Sequence, residues 1–403
     1  MEVYRRLEDN INTPIPKEMC IQCGICAAIC PKDAITIKKE KYNYLPDIQD
    51  NCINCGLCKK VCPQNKQYNY DENIPVEKQI LGNYKSILSA KTKNKEILIN
   101  STSGGVITQL ITTLLTNKIY DCAFLLDGYN YDNQLKTKYF NKDTTLINTP
   151  KSRYLTISNE DSCRYILKHP NEKVIIVGTG CVINGIIDFI KEKKLNKENY
   201  LLIGLFCDKT MNYGVVEYFK QKYKKKKIKN LFFRTKIKSG WPGDVRIEFD
   251  DNSYIDLHRK KRMEIKKYFV PECCLYCLNK LNKNSDISVG DNYIKEENDK
   301  EGKSSVIIRT EIGEKTFNTC NDNFLVKEEN EKALIISTKL KEKEQNVEFA
   351  KIKGLIEGTT NHRNKKAYNL ALKNIRIGNS NNVYLRIKFE LLKEKIKNKF
   401  KQK

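Results

Sequence analysis

Eight of the sixteen cysteines in this 403-residue chain fall into two copies of one pattern, Cys20-x2-Cys23-x2-Cys26-x3-Cys30-Pro31 and Cys52-x2-Cys55-x2-Cys58-x3-Cys62-Pro63. Three closely spaced thiolates can each bind one iron of a 4Fe-4S cube, while a fourth, set apart and followed by proline, turns away to reach a second cube. The spacing therefore assigns Cys20, Cys23, Cys26 and Cys62 to one cluster, and Cys52, Cys55, Cys58 and Cys30 to the other. A zinc site uses two separated cysteine pairs and has no need of the proline-terminated fourth cysteine. A disulfide framework is not expected, because Met1-Glu2-Val3-Tyr4-Arg5-Arg6 lacks the apolar core of a secretory leader.

Further cysteines stand at the ends of apolar runs. Lys173 to Val177 reads as a buried strand that passes through Gly178-Thr179-Gly180-Cys181 into a helix ending near Lys194, and Leu201 to Phe206 reads as a second strand ending at Cys207. Ile183 stands where a dinucleotide fingerprint needs its third glycine, so the turn alone is weak evidence for such a site. Cys273, Cys274 and Cys277 follow Pro271, so two strand ends and a Cys-x2-Cys loop supply enough thiols for another metal centre. Buried cysteines also behave as small apolar residues. On spacing alone both readings stand here, whereas Cys122, Cys163 and Cys320 have no partner pattern and are read as core residues. Ser101-Thr102-Ser103-Gly104-Gly105 precedes an apolar helix, Val106 to Thr116, whose free amides suit either an anion or a simple cap. No triad or carboxylate pair stands out, and His169, His258 and His362 are expected to be structural or exposed.

The surrounding elements divide the chain into more than one domain, as its length also implies. The expected fold is α+β and multidomain: an N-terminal bacterial dicluster ferredoxin fold, with a short hairpin between Ala34 and Pro46, followed by mixed α/β domains. The expected segments are 1–15, a ferredoxin-type module at 16–66, a linker at 67–80, domains at 81–160 and 161–325, and a basic amphipathic tail at 326–403. From residue 382 onward Leu385, Phe389, Leu392, Ile396 and Phe400 recur at helical spacing among lysines. That stripe suits an anionic membrane or an acidic partner, but the expectation is that it packs on its own protein. The formal net charge of +24 comes from lysines spread along the chain, so no nucleic-acid partner is expected. No run reaches the ~18 apolar residues of a spanning helix, and a cytoplasmic protein is expected.

In their order, these landmarks resemble the coenzyme F420 hydrogenase/dehydrogenase beta-subunit family over about residues 16–320. The carriers are the dicluster module, Ser101 to Gly105, Ser152-Arg153-Tyr154, Gly178 to Cys181, Gly204 to Cys207, Gly240-Trp241-Pro242-Gly243-Asp244, the Cys274–Cys277 loop and Ser285 to Asp291. The resemblance implies FAD held by Ser101, Ser103, Gly104, Gly105, Ser152, Arg153 and Tyr154, with Arg153 facing its phosphates or ring. It also implies a third 4Fe-4S cluster on Cys181, Cys207, Cys274 and Cys277, with Cys273 leaving the loop assignment open. Gly180 stands where the family usually has proline, and Asp291 reads as a turn cap or as a catalytic group. The implied function is an FAD-dependent iron–sulfur oxidoreductase passing electrons to or from coenzyme F420 or another two-electron substrate, with a ferredoxin or another oxidoreductase component as partner. The alternative is an electron-transfer subunit that has no turnover alone.

Overall fold

A computed structural model describes residues 17–65, 70–146, 149–294 and 299–401. The expected segment 1–15 and part of the expected linker lie outside them. In the N-terminal module the sequence repeat is also a backbone repeat. Gln22 and Asn54 take φ of 61° and 54°, and Gly24 and Gly56 take 73° and 71°. Each glycine then starts a short helix, Ile25–Ile29 or Leu57–Lys60. Left-handed backbone turns the chain tightly between cysteines and comes easily to glycine. Strands β1 (Ile35–Glu40) and β2 (Asn43–Ile48) form the expected antiparallel hairpin.

After the helix Val76–Leu81, β3 (Ser86–Thr92) leads through the helices Lys95–Asn100 and Val106–Thr116 to β4 (Cys122–Leu125). Short strands β5 (Leu135–Lys136), β6 (Lys138–Phe140) and β7 (Ile157–Ser158) precede the helix Glu160–Lys168. Then β8 (Val174–Thr179), the helix Gly180–Glu192 and β9 (Tyr200–Leu205) form a parallel βαβ unit. β10 (Ile228–Thr235), β11 (Asp244–Phe249) and β12 (Tyr254–Leu257) make a separate antiparallel sheet. β13 (Ile287–Asp291), β14 (Ser304–Ile308) and β15 (Phe324–Glu328) return to the main sheet. Its order is β15-β3-β14-β13-β9-β8-β4-β6.

Within that sheet β4, β8, β9 and β13 run parallel, and β14 is antiparallel to both β13 and β3. The carboxyl ends of β3, β8, β9 and β13 therefore share one edge. In open sheets with parallel strands, ligands bind in the crevice at that edge. Cys181, Cys207 and Asp291 all follow or end such strands, and the Gly104 carbonyl accepts from Thr92 N at 2.8 Å.

The N-terminal module shares a core with the body. Ile25, Ala28, Ile29 and Val61 pack with Phe124, Ile176, Ile183 and Phe189. Asn159 N donates to Cys23 O at 2.7 Å, and Arg164 clamps the module through Asp33 and the Ala27 carbonyl. Two expectations need correction. The 325/326 boundary falls inside β15, because Phe324–Glu328 pairs with β3. The last helix, Val383–Lys401, does not bury Leu385, Phe389, Leu392 and Ile396, which are 60%, 57%, 55% and 47% exposed. It buries Val383 and Ile387 instead, because that face meets Tyr218 and Phe269 of the body. The side chain of Phe400 lies outside the described residues.

Candidate functional site

The N-terminal cysteines stand close enough to act on one another. Burial pushes the Cys23 and Cys26 thiols well up; Cys62, Cys20 and Cys181 raise Cys23 further, and Cys23, Cys20, Cys62 and Cys58 raise Cys26. Burial likewise lifts Cys58 to about 12, with Cys55, Cys52 and Cys30 adding to the rise. Those last four cysteines line one hollow with Ile35, Ile48, Ile53 and Leu57. Buried thiolates repel one another unless a cation stands between them, and a metal deprotonates them outright. Among the described residues no three such side chains converge closely enough for a single ion. Backbone amides already point at sulfur, Ala34 N to Cys30 Sγ at 3.2 Å and Gln22 N to Cys20 Sγ at 3.4 Å, and such contacts tune cluster potentials.

The third set is built by the parallel strands. Cys181 opens the helix after β8, Cys207 follows β9, and Cys274 and Cys277 come from the turn Glu272–Leu275 and the residues after it. Burial lifts Cys181 to about 12, with Cys277 and Cys274 as charged neighbours, and Cys207 feels Cys274, Cys181 and Cys277. The hydrogen bond between Cys273 and Cys274 raises the Cys273 thiol and lowers that of Cys274. Cys273 faces Cys181 and Cys20, and so lies on the side of the first N-terminal set. Beyond Cys207, Asp208 gathers Lys343, Lys266 and Lys280 at 3.1, 3.4 and 3.8 Å. Lys343 is buried, and Asp208, Cys277 and Cys207 hold it charged against the cost of burial. Gly180 is explained by its neighbour: a Cβ there would meet the Asn279 amide at 2.6 Å, in the space a proline ring would need.

A polar cluster occupies the same sheet edge. Arg234, 2% exposed at the end of β10, donates to both oxygens of Asp291 at 2.6 and 2.9 Å and to Tyr154 Oη at 3.3 Å. Trp241 Nε1 donates to Asp291 at 3.0 Å, so Asp291 is an ion-pair partner and not a turn cap. Burial acts to raise Asp291, but the Arg234 charge and these hydrogen bonds outweigh it and hold the carboxyl below its ordinary value, with Ser103 contributing. Burial also acts to raise the Tyr154 phenol, but Arg234 and Arg262 together bring it down. Arg262 lies over the Tyr154 ring at 4.5 Å. Neither Arg234 nor Arg262 stands out in the sequence. The only signal for Arg234 was a cation placed in the apolar run Leu231-Phe232-Phe233.

The expected flavin segments meet here. Ser152 N donates to Thr102 Oγ1 at 3.0 Å, which joins the two stretches directly. Gly104 passes so close to Ala90 O and Ser304 N that a Cβ would stand 2.4 and 2.8 Å from them. Gly105 takes φ 74° and no side chain caps the helix Val106–Thr116, while Ser101 Oγ is buried with no partner among the described residues. Uncapped amides and an orphaned hydroxyl fit a phosphate-bearing group. Arg153 does not face that turn. It is buried, stacks on Tyr129 at 4.3 Å, and donates to the carbonyls of Gly128, Thr149, Pro150 and Lys151. Thr210 Oγ1 and Met211 N both donate to the Tyr154 carbonyl, at 2.9 and 2.7 Å, and the Thr210 amide acts on Cys274. The third cysteine set and the polar cluster are thus neighbours. The three histidines stay outside: His169 pairs with Glu172, His258 caps Arg259–Lys266, and His362 is exposed.

Three family models match the chain. Residues 13–67 match a 4Fe-4S dicluster domain, residues 87–162 the N-terminal part of the coenzyme F420 hydrogenase/dehydrogenase beta subunit, and residues 171–333 its C-terminal part. A component of the F420H2 dehydrogenase of Methanosarcina mazei is 24% identical over 343 residues, covering 81% of this chain and 89% of the relative. The coenzyme F420-dependent sulfite reductase of Methanocaldococcus jannaschii is 28% identical over 327 residues, which span 77% of this chain and 47% of that protein. The beta subunit of the coenzyme F420 hydrogenase of Methanococcus voltae is 26% identical over 246 residues, 59% of this chain and 81% of the relative. A chain of the F420-reducing [NiFe] hydrogenase complex from Methanosarcina barkeri shares the fold, with a TM-score of 0.52 at 20% identity over 71% of this chain and 99% of that one.

Proposed function

This chain belongs to the coenzyme F420 hydrogenase/dehydrogenase beta-subunit family and carries a 4Fe-4S dicluster domain, and from that premise we propose that it is an iron–sulfur flavoprotein oxidoreductase. The observation that carries this reading is the meeting, at one sheet edge, of Cys181, Cys207, Cys274 and Cys277 with the Ser101 to Gly105 turn and the Tyr154–Arg234–Asp291 cluster. Three clusters would be held, on Cys20, Cys23, Cys26 and Cys62, on Cys30, Cys52, Cys55 and Cys58, and on Cys181, Cys207, Cys274 and Cys277. FAD would be held by Ser101, Ser103, Gly104, Gly105, Ser152 and Tyr154, with Arg153 shaping the loop that carries them. When bound, the clusters supply single-electron exchange and FAD supplies the conversion to two-electron chemistry.

The protein's own groups set the conditions for that exchange. The free amides at the start of Val106–Thr116 would receive negative charge, and Arg234 at Tyr154 Oη with Arg262 over its ring lowers the cost of removing the phenol proton. Lys343, Lys266 and Lys280 keep positive charge beside the third cysteine set. Net charge and sulfur contacts are what tune cluster potentials, over roughly −700 to +450 mV across proteins. The substrate would be coenzyme F420 or another two-electron carrier, and the partner a ferredoxin or another oxidoreductase component. Among the described residues no helix is long and apolar enough to cross a membrane.

The test is an anaerobic visible titration of the reconstituted chain with reduced coenzyme F420. Bleaching of flavin and clusters together is expected. Bleaching by dithionite but not by reduced coenzyme F420 would reject the deazaflavin as donor. The names of two relatives, each one component of a larger enzyme, favour a second reading as an electron-transfer subunit. In that case the centres are redox-active but turnover appears only with a copurifying partner.

A further inference from the structure

The last helix carries two apolar stripes, and only one is used by the fold. Val383 and Ile387 are fully buried against the body, with Tyr384 and Leu391 packed beside them. Leu385, Phe389, Leu392 and Ile396 follow at i, i+4, i+7 and i+11 and stand about half exposed, forming a second stripe about 16 Å long. Its flanks are basic. Lys388 and Lys395 lie on one side of the stripe and Lys393 on the other, where the Lys393 ammonium rests over the Phe389 ring at 4.2 Å. Of the two acidic residues of the helix, Glu394 meets Lys267 of the body, and Glu390 meets Lys373 at 3.8 Å and shares Lys393 at 3.1 Å, which leaves Lys388 and Lys395 as the flanking lysines that no acid of this helix offsets.

We propose that this face is a docking surface for an anionic phospholipid membrane, on which the protein lies peripherally. Charge complementarity selects the occupant. A helix held to the body by one side and bordered on both edges by lysines presents a flat strip, which suits a plane of headgroups with apolar material just beneath. The long lysine stems can follow the apolar side chains while their ammonium groups stay at the phosphates. The +24 charge of the whole chain draws it to the same surface from a distance.

Flotation of the full, cofactor-loaded chain with vesicles tests this, using phosphatidylglycerol mixed with phosphatidylcholine against phosphatidylcholine alone. Binding to the anionic vesicles is expected to be roughly tenfold tighter or more, and to weaken as salt is raised. The variant Leu385→Gln, Phe389→Gln, Leu392→Gln, Ile396→Gln should lose that binding with unchanged iron content, since these side chains are outside the core. Lys388→Gln, Lys393→Gln, Lys395→Gln should keep the fold and lose the preference for anionic lipid. Equal binding by the first variant, or no vesicle binding by the wild type, overturns the proposal. So does a wild-type dimer that ignores vesicles and is broken by the first variant, since the stripe would then face a second copy.

Discussion

At the scale of residues, the site depends on charges that the protein keeps at a cost. Arg234 is almost wholly buried, and its guanidinium is balanced by Asp291. Asp291 titrates lower in the fold than in the unfolded chain, so its contribution to stability is complete above the unfolded value of about 4 and is lost as pH falls through the folded value. Asp291→Asn strips Arg234 of its counter-charge and should cost about 3–5 kcal/mol near neutral pH. The gap from wild type should narrow as pH falls below about 4, where the aspartate of the unfolded chain takes up a proton that the folded Asp291 still refuses. Trp241, the one tryptophan, donates to Asp291 and can report the unfolding by its fluorescence. An unchanged neutral stability would mean that the ion pair does not hold this site. The cysteines were legible in the sequence because ligand spacing is local. Arg234 and Arg262 were not, because their role appears only when β10 and the helix Arg259–Lys266 are brought to Tyr154.

Elements decide what spacing cannot. The hairpin, the strand–turn–helix around Cys181 and the strand before Cys207 could be read from period and turn residues, and each forms within a residue or two of its expected place. The choice between two stripes on the last helix could not, because both have helical spacing and only the position of Tyr218 and Phe269 selects one. Nor could the sheet order, in which β14 and β15 flank β3 across more than 200 residues of sequence. Gly185 shows how one helix seats the N-terminal module. It lies inside Gly180–Glu192, and a Cβ there would stand 2.7 Å from Ile25 Cδ1 and 3.3 Å from Val61 O. A leucine at 185 should overpack this contact, cost about 1–3 kcal/mol, and make the module easier to release by limited proteolysis. Unaltered stability and protease resistance would show that the module is seated by other contacts.

On the scale of the whole molecule, the three thiol sets form a line. Cys58 acts on Cys26 and Cys62, which ties the set of Cys30, Cys52, Cys55 and Cys58 to the set of Cys20, Cys23, Cys26 and Cys62. Cys181 acts on Cys23, which ties that second set to the third, and Cys20 acts on Cys273, the neighbour of Cys274. The third borders the cluster around Tyr154. The outer end of this line reaches solvent, since Cys55 is exposed and Ile53 beside it is 56% exposed. On the proposed function, a partner would meet the molecule at that end and a two-electron substrate at the other. The most direct test of this account is the iron and flavin content of the anaerobically reconstituted full chain, beside its Cys181→Ser, Cys207→Ser variant. The account predicts about twelve irons and one FAD in the wild type, and about eight irons in the variant with both N-terminal clusters kept. About eight irons in both, with no flavin in the wild type, would contradict it.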